Sequence, residues 1–149
     1  MMSARMVVVD ASVWVARLVP QDTFHQPACD WMAARRAANT FLVAPSLMLV
    51  EVAGAIARRT GDHDLALRAL DALPRLPGLR LVEMENALVM EAATLAASLG
   101  LRGADAMYVA TAATLDLPLC TLDEEQARRA AYKVEIQSLI APGKGQVAR

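Results

Sequence analysis

Four acidic residues in this 149-residue chain stand where solvated charges rarely stand. Asp10 ends the apolar run Met6-Val7-Val8-Val9, and Asp123 closes Leu117-Pro118-Leu119-Cys120-Thr121-Leu122. Glu51 separates Leu47-Met48-Leu49-Val50 from Val52-Ala53, and Asp105 lies in the helix-like run Ala104-Asp105-Ala106-Met107-Tyr108-Val109-Ala110. A carboxylate taken out of water without a partner costs several kcal/mol, so buried acids need cations or shared protons. With no Lys or His beside them in sequence, the four read as an acid cluster that awaits a metal. Two unit charges 4 Å apart repel by about 4 kcal/mol at an effective dielectric near 20, so either the carboxyl pKa values rise or a cation binds. Oxygen ligands without His or Cys favour Mg²⁺ or Mn²⁺ over zinc. Such ions at an acid cluster serve phosphate chemistry, activating water and neutralising charge on phosphoryl oxygens.

Each acid also has a local reading. Asp10 suits a turn or a helix N-cap, Asp123 could cap a helix from Glu124, and Asp105 could satisfy a helix dipole. Glu51 has the weakest such explanation, because it sits one turn inside an apolar helix.

The elements that must position these residues alternate between strand and helix, which predicts an α/β fold with a parallel sheet covered on both faces. Strands are expected at about Arg5–Val9, Phe41–Ala44, Leu79–Val82, Leu117–Thr121 and Lys133–Gln137. Helices are expected at Ala11–Leu18, about Phe24–Ala38, Leu47–Arg59 with Ser46 as N-cap, His63–Leu73, Asn86–Leu99, Ala104–Leu115 and Glu124–Ala130. Asp10 and Asp123 then stand at carboxyl ends of strands, the edge where open parallel sheets bind ligands near a switch in strand order. The helix from Leu47 is apolar nearly all round until Arg58, so it needs cover from the sheet and from another chain.

Size and composition agree with one domain. A chain of this length buries roughly 68–70% of its unfolded surface. Its hydrophobic share of 56% exceeds the usual value of about 45–50% and comes from Ala, Leu, Val and Met rather than aromatics. A net charge of −1 speaks against a module that binds nucleic acid through a global basic field, and leaves room for an enzyme that grips phosphates locally. Cys29 and Cys120 lack the paired spacing of zinc or redox motifs and read as reduced thiols. No signal-peptide pattern precedes Asp10, and the stretch from Phe41 to Ala57 contains Pro45, Ser46, Glu51 and Gly54, so no membrane span is expected. A cytoplasmic location follows as the expectation. His25 and His63 stand among polar residues near helix starts and suit surface roles. The arginines at 35, 36, 58, 59, 128 and 129 suit solvated helix faces. Arg102, just ahead of Asp105, is the best candidate among them for a phosphate contact near the acids, and Trp14 suits packing better than an exposed stacking role.

Four segments carry a resemblance. Val7-Val8-Val9-Asp10-Ala11-Ser12, Leu49-Val50-Glu51-Val52, Gly103-Ala104-Asp105-Ala106 followed by Val109-Ala110, and Thr121-Leu122-Asp123 resemble, in this order, the motifs of PIN-domain ribonucleases. The most similar subgroup is the VapC-type toxins of prokaryotic toxin–antitoxin pairs. The resemblance runs from about Val7 to Leu139. It implies a three-layer α/β/α fold with a central five-stranded parallel sheet, a nuclease domain over 1–141 and a flexible tail at 142–149. It implies RNA cleavage by metal-activated water, with Asp10, Glu51, Asp105 and Asp123 as the catalytic, metal-binding quartet for Mg²⁺ or Mn²⁺. Ser12 and Thr121 would support it by orienting carboxylates or metal-bound water. A cognate antitoxin and a homodimer are implied as partners. The rival reading is a catalytically inactive PIN domain that binds RNA or protein. A phosphatase of the haloacid-dehalogenase type would need an Asp where Ser12 stands, and a receiver domain would need paired acids after the first strand.

Overall fold

The computed structural model describes residues 5–139, and the expected tail at 142–149 lies outside them. The chain runs β1 (Met6–Val9), α1 (Ala11–Leu18), α2 (His25–Ala37), β2 (Phe41–Pro45), α3 (Leu47–Thr60), α4 (His63–Ala72), β3 (Leu79–Val82), α5 (Asn86–Leu99), α6 (Gly103–Leu115), β4 (Leu119–Cys120), α7 (Glu124–Ala130) and β5 (Ile136–Gln137). A 3₁₀ turn at Leu73–Arg75 follows α4, because Pro74 cannot continue the helical hydrogen bonding.

The five strands form one parallel sheet in the order β3-β2-β1-β4-β5. β1 sits at the centre, and Val7, Val8 and Val9 are buried almost completely. A continuous β-branched run is what a strand covered on both faces requires. Right-handed crossovers put α1–α4 on one face and α5–α7 on the other, giving the expected three layers. α6 packs on β1 and β2, with α5 against it. The chain leaves β1 towards β2 and leaves β4 towards β5, so the strand order reverses between β1 and β4.

Several expected boundaries shift for identifiable reasons. β4 is only two residues long: Pro118 has no N–H to offer, and its carbonyl accepts from Val8 N at 2.9 Å just ahead of the strand. β5 starts at Ile136 rather than Lys133, because Lys133 N and Val134 N both donate to Ala130 O at the end of α7. Ser46 occupies the N-cap position of α3 but makes no capping bond, its own backbone being already helical. α3 is less enclosed than its composition suggests: Met48, Val52 and Ile56 form one buried stripe, while Val50 is 70% exposed. No single helix among the described residues is long and apolar enough to cross a membrane.

Two glycines end helices with positive φ, Gly61 after α3 (φ 68°) and Gly100 after α5 (φ 67°). A Cβ at Gly61 would meet nothing, whereas one at Gly100 would collide with the Arg129 guanidinium that donates to Leu99 O at 3.2 Å. Gly61→Ala should therefore cost only the left-handed backbone strain, about 1–2 kcal/mol. Gly100→Ala should cost more, because Arg129 must also leave that carbonyl. Urea denaturation of the two variants measures the difference, and equal losses would show that the Arg129 contact carries no energy.

Candidate active site

The site forms where the strand order reverses. Asp10 follows β1 directly, and its backbone N–H donates to Cys120 O at 2.9 Å, which ties it to β4. It is the N-cap of α1, where its Oδ2 accepts from Ser12 N at 3.1 Å. The same oxygen lies 3.2 Å from Thr121 Oγ1, whose hydroxyl donates to it. Asp10 is only 6% exposed, so these bonds replace most of its water. Ser12 Oγ accepts from Leu122 N at 3.0 Å and thereby fastens the start of α1 to the segment after β4.

Asp123 is the N-cap of α7, with Oδ1 accepting from Gln126 N at 3.0 Å. The capping readings of Asp10 and Asp123 are thus both correct, and each cap spends only one of its carboxylate oxygens on its helix. Asp105 lies in the first turn of α6 and caps nothing. Glu51, in the second turn of α3, accepts from Tyr108 Oη at 2.7 Å across the molecule. α1, α3, α6 and the β4–α7 junction each deliver one acid.

Sequence proximity suggested acids without a cation. The fold supplies one: Arg102 donates through Nε to Asp105 Oδ2 at 3.1 Å and through Nη2 to Asp123 Oδ2 at 2.7 Å. Its side chain is 77% exposed while those of Asp105 and Asp123 are 16% and 28% exposed, so the guanidinium closes the site from the solvent side. The sequence singles out Arg102 as a phosphate contact rather than as a counterion, and Tyr108 and Gln126 are site residues to which it assigns no role. Tyr108 follows Asp105 by one turn and is fully buried. Gln126 stands three residues after Asp123, the reciprocal position of a capping box, which was the available signal.

The electrostatics show that the acids sense one another. Burial pushes the Glu51 carboxyl up; the Tyr108 hydrogen bond opposes that shift, and the charges of Asp10 and Asp105 add to it. Burial also raises Asp105, against the hydrogen bond and charge of Arg102, with Asp10 and Asp123 raising it further. Burial and then Glu51 hold the Tyr108 phenol far above its ordinary range, so it stays a hydrogen-bond donor. Burial, with help from Asp10, pushes the Cys120 thiol up to about 12. Among the described residues no three His, Cys, Asp or Glu side chains converge tightly enough to ligate one ion as they stand. Their present orientations are those their partners impose, Tyr108 on Glu51, Arg102 on Asp105 and Asp123, and Thr121 on Asp10. The donor set, four carboxylates and two hydroxyls, is chemically that of a hard divalent cation.

Other expectations resolve simply. Trp14 is 3% exposed and packs in the core, out of reach of a base. His25 is half-buried: its Nδ1 lies 2.9 Å from Ala16 O and joins α2 to α1, with Cys29 Sγ 3.5 Å from its Nε2. His63 is exposed. Arg59 pairs with Asp22 at 2.7 Å, Arg35 lies over the Trp31 ring at 5.4 Å, and Arg128 and Arg129 both pair with Glu125 at 2.6 Å.

A family model described as the PIN domain matches residues 7–132. The chain belongs to the PIN-domain family. Solved structures agree on the fold. The Mycobacterium tuberculosis toxin VapC20, described as cleaving the sarcin-ricin loop, has a TM-score of 0.74 at 21% identity, over 87% of this chain and 98% of that one. VapBC2 from Rickettsia felis, bound to a promoter DNA fragment, has a TM-score of 0.68 at 12% identity, over 89% and 98%. VapBC-1 from nontypeable Haemophilus influenzae has a TM-score of 0.66 at 14% identity, over 90% and 98%. No curated protein sequence matches the chain.

The raised Glu51 pKa makes this PIN domain's stability depend on pH. A carboxyl raised in the folded state contributes stability that is complete below its unfolded value, 4.5, and lost as pH rises through the folded value. Glu51→Gln, which keeps an acceptor for Tyr108, should therefore melt at a higher temperature than the parent at pH 7.5. That advantage should shrink as pH falls towards 4.5. Thermal denaturation across this range checks it; an advantage that does not vary with pH would place its origin elsewhere than in the Glu51 charge.

Proposed function

We propose that this PIN domain is a metal-dependent ribonuclease that hydrolyses RNA phosphodiester bonds, the toxin of a toxin–antitoxin pair inhibited by a cognate antitoxin in the cytoplasm. The observation that carries this reading is the gathering of four acids from four separate elements at the reversal point of the sheet. Burial, and after it the charges of the neighbouring acids, lifts the Glu51 and Asp105 carboxyls, a state that hydrogen bonds and Arg102 offset only in part. Folding does not call for such an arrangement, and stability alone would select against it.

In this reading Asp10, Glu51, Asp105 and Asp123 hold Mg²⁺ or Mn²⁺. The ion would supply the activation of water and the neutralisation of phosphoryl charge. The chain's own residues set the stage for it. Thr121 and Ser12 N fix Asp10 Oδ2, Tyr108 fixes Glu51, and the start of α7 fixes Asp123. Arg102 neutralises two of the acids and, being exposed, is placed to turn towards an RNA phosphate.

Partners are read more coarsely. Val50 on α3 and Leu67 on α4 are 70% and 61% exposed, apolar surface that a second copy in a homodimer would cover. The VapBC relatives are complexes, and an antitoxin partner is proposed here by that likeness. The nuclease domain is taken to span 1–141, with 142–149 as its tail. One observation favours the inactive, RNA- or protein-binding alternative: Arg102 already occupies two carboxylates in the manner of a permanent counterion.

Cleavage of RNA by the purified chain decides between them. The nuclease reading expects activity with Mg²⁺ or Mn²⁺ and none with EDTA. Asp10→Asn and Asp105→Asn should each lower kcat at least about a hundredfold without loss of folding. Arg102→Gln should raise KM more than it lowers kcat. Activity that survives EDTA or Asp10→Asn would end the metal-nuclease proposal.

A further inference from the structure

Gln126 is among the most deeply buried polar residues in the protein, at 2% exposure, and half of its carboxamide has no partner. Its backbone forms one half of a capping box by donating to Asp123 Oδ1 at 3.0 Å. The other half is missing. In such a box the glutamine side chain reaches back to the N-cap N–H. Here Thr121 Oγ1 takes Asp123 N–H at 3.1 Å, and the Gln126 amide is turned away to stand 3.0 Å from that same hydroxyl.

The surroundings of Thr121 then pose a problem of proton count. A hydroxyl has one proton to give and two lone pairs to fill. Asp123 N–H fills one lone pair, and Ser12 Oγ, 3.5 Å away, lies at the outer limit of a hydrogen bond. Asp10 Oδ2 at 3.2 Å accepts only, and so does an amide oxygen at 3.0 Å, so two acceptors compete for one proton. Meanwhile Gln126 Nε2, a strong donor, is buried without an acceptor. A half-turn of the carboxamide exchanges two atoms of nearly equal size and removes the conflict. Nε2 then fills the second lone pair of Thr121, and the only proton goes to Asp10. The exchange leaves Oε1 without a partner, and an under-satisfied carbonyl is tolerated better than an orphaned N–H.

We propose that Gln126 is a positioning residue of the acid site, its buried amide Nε2–H donating to Thr121 Oγ1 so that the Thr121 proton is held on Asp10 Oδ2. The relay runs Gln126 to Thr121 to Asp10, and it prevents the threonine hydroxyl from turning away from the carboxylate. It rests on the reading of Asp10 as a metal-binding carboxylate. Groups behind a metal ligand govern its orientation, and their loss typically weakens metal binding by about 10–100-fold.

The test is Mn²⁺ affinity in the absence of RNA, by isothermal titration or by electron paramagnetic resonance of free Mn²⁺. The samples are the parent, Gln126→Met, Thr121→Val and the double variant, with melting temperatures measured alongside; Gln126→Leu replaces Gln126→Met should the latter not fold. Each single variant should bind Mn²⁺ about tenfold more weakly. The double variant should be no weaker than the weaker single, because both break one relay. Thr121→Ser, which keeps the hydroxyl, should bind as the parent does. Parental affinity in folded Gln126→Met, or fully additive losses in the double variant, would overturn the relay while leaving the metal site intact. A parent that binds no Mn²⁺ would overturn the metal-site reading and the relay with it.

Discussion

Everything at the site hangs on the pairing of β1 with a neighbour on each side. A central parallel strand offers no edge, so the chain can leave it only at its carboxyl end, and there it places Asp10. The bond from Asp10 N to Cys120 O continues the β1–β4 ladder one residue past β1. That single extension carries Asp10, Thr121 and Asp123 into one small volume. It also explains why β4 needs only two residues: its task is to hold the turn after it, and two ladder positions suffice.

The acids are then caught between two demands. Burial and mutual repulsion favour neutral carboxyls, and an ion-binding site needs charged ones. The fold meets both by giving each acid a donor that does not consume it. Tyr108 has a phenol too deeply buried to ionise, so it can only donate. Thr121 and Ser12 contribute a hydroxyl and a backbone N–H. Arg102 differs in kind, because it is a cation, largely exposed, and bound to both Asp105 and Asp123. A counterion so exposed offsets the charge of both acids without locking the site, because water and salt can take over the two pairs it makes.

Local pattern made much of this visible. The valine run before Asp10, the Gly-bounded helices and the break at Pro74 mark their elements by steric rules that act over a few residues. The strands at β4 and β5 were drawn too long because their limits depend on who takes each N–H. Val134 has the composition of a strand residue, yet its N–H belongs to the last turn of α7. Similarly, α3 looks apolar all round, while only Met48, Val52 and Ile56 on it are fully buried.

The sequence by itself determined the fold class, the order of the elements and the four acids as a group. Each of these follows from residue type and short-range spacing: β-branched runs, helical periodicity, and carboxylates set against apolar neighbours. The tertiary structure alone decided the company the acids keep. Tyr108 lies far from Glu51 along the chain, and Thr121 far from Asp10. Arg102 reaches Asp123 only because α6 and α7 begin on the same edge of the sheet. Such partners answer to the strand order, and the reversal between β1 and β4 is a property of the whole sheet that no local stretch encodes.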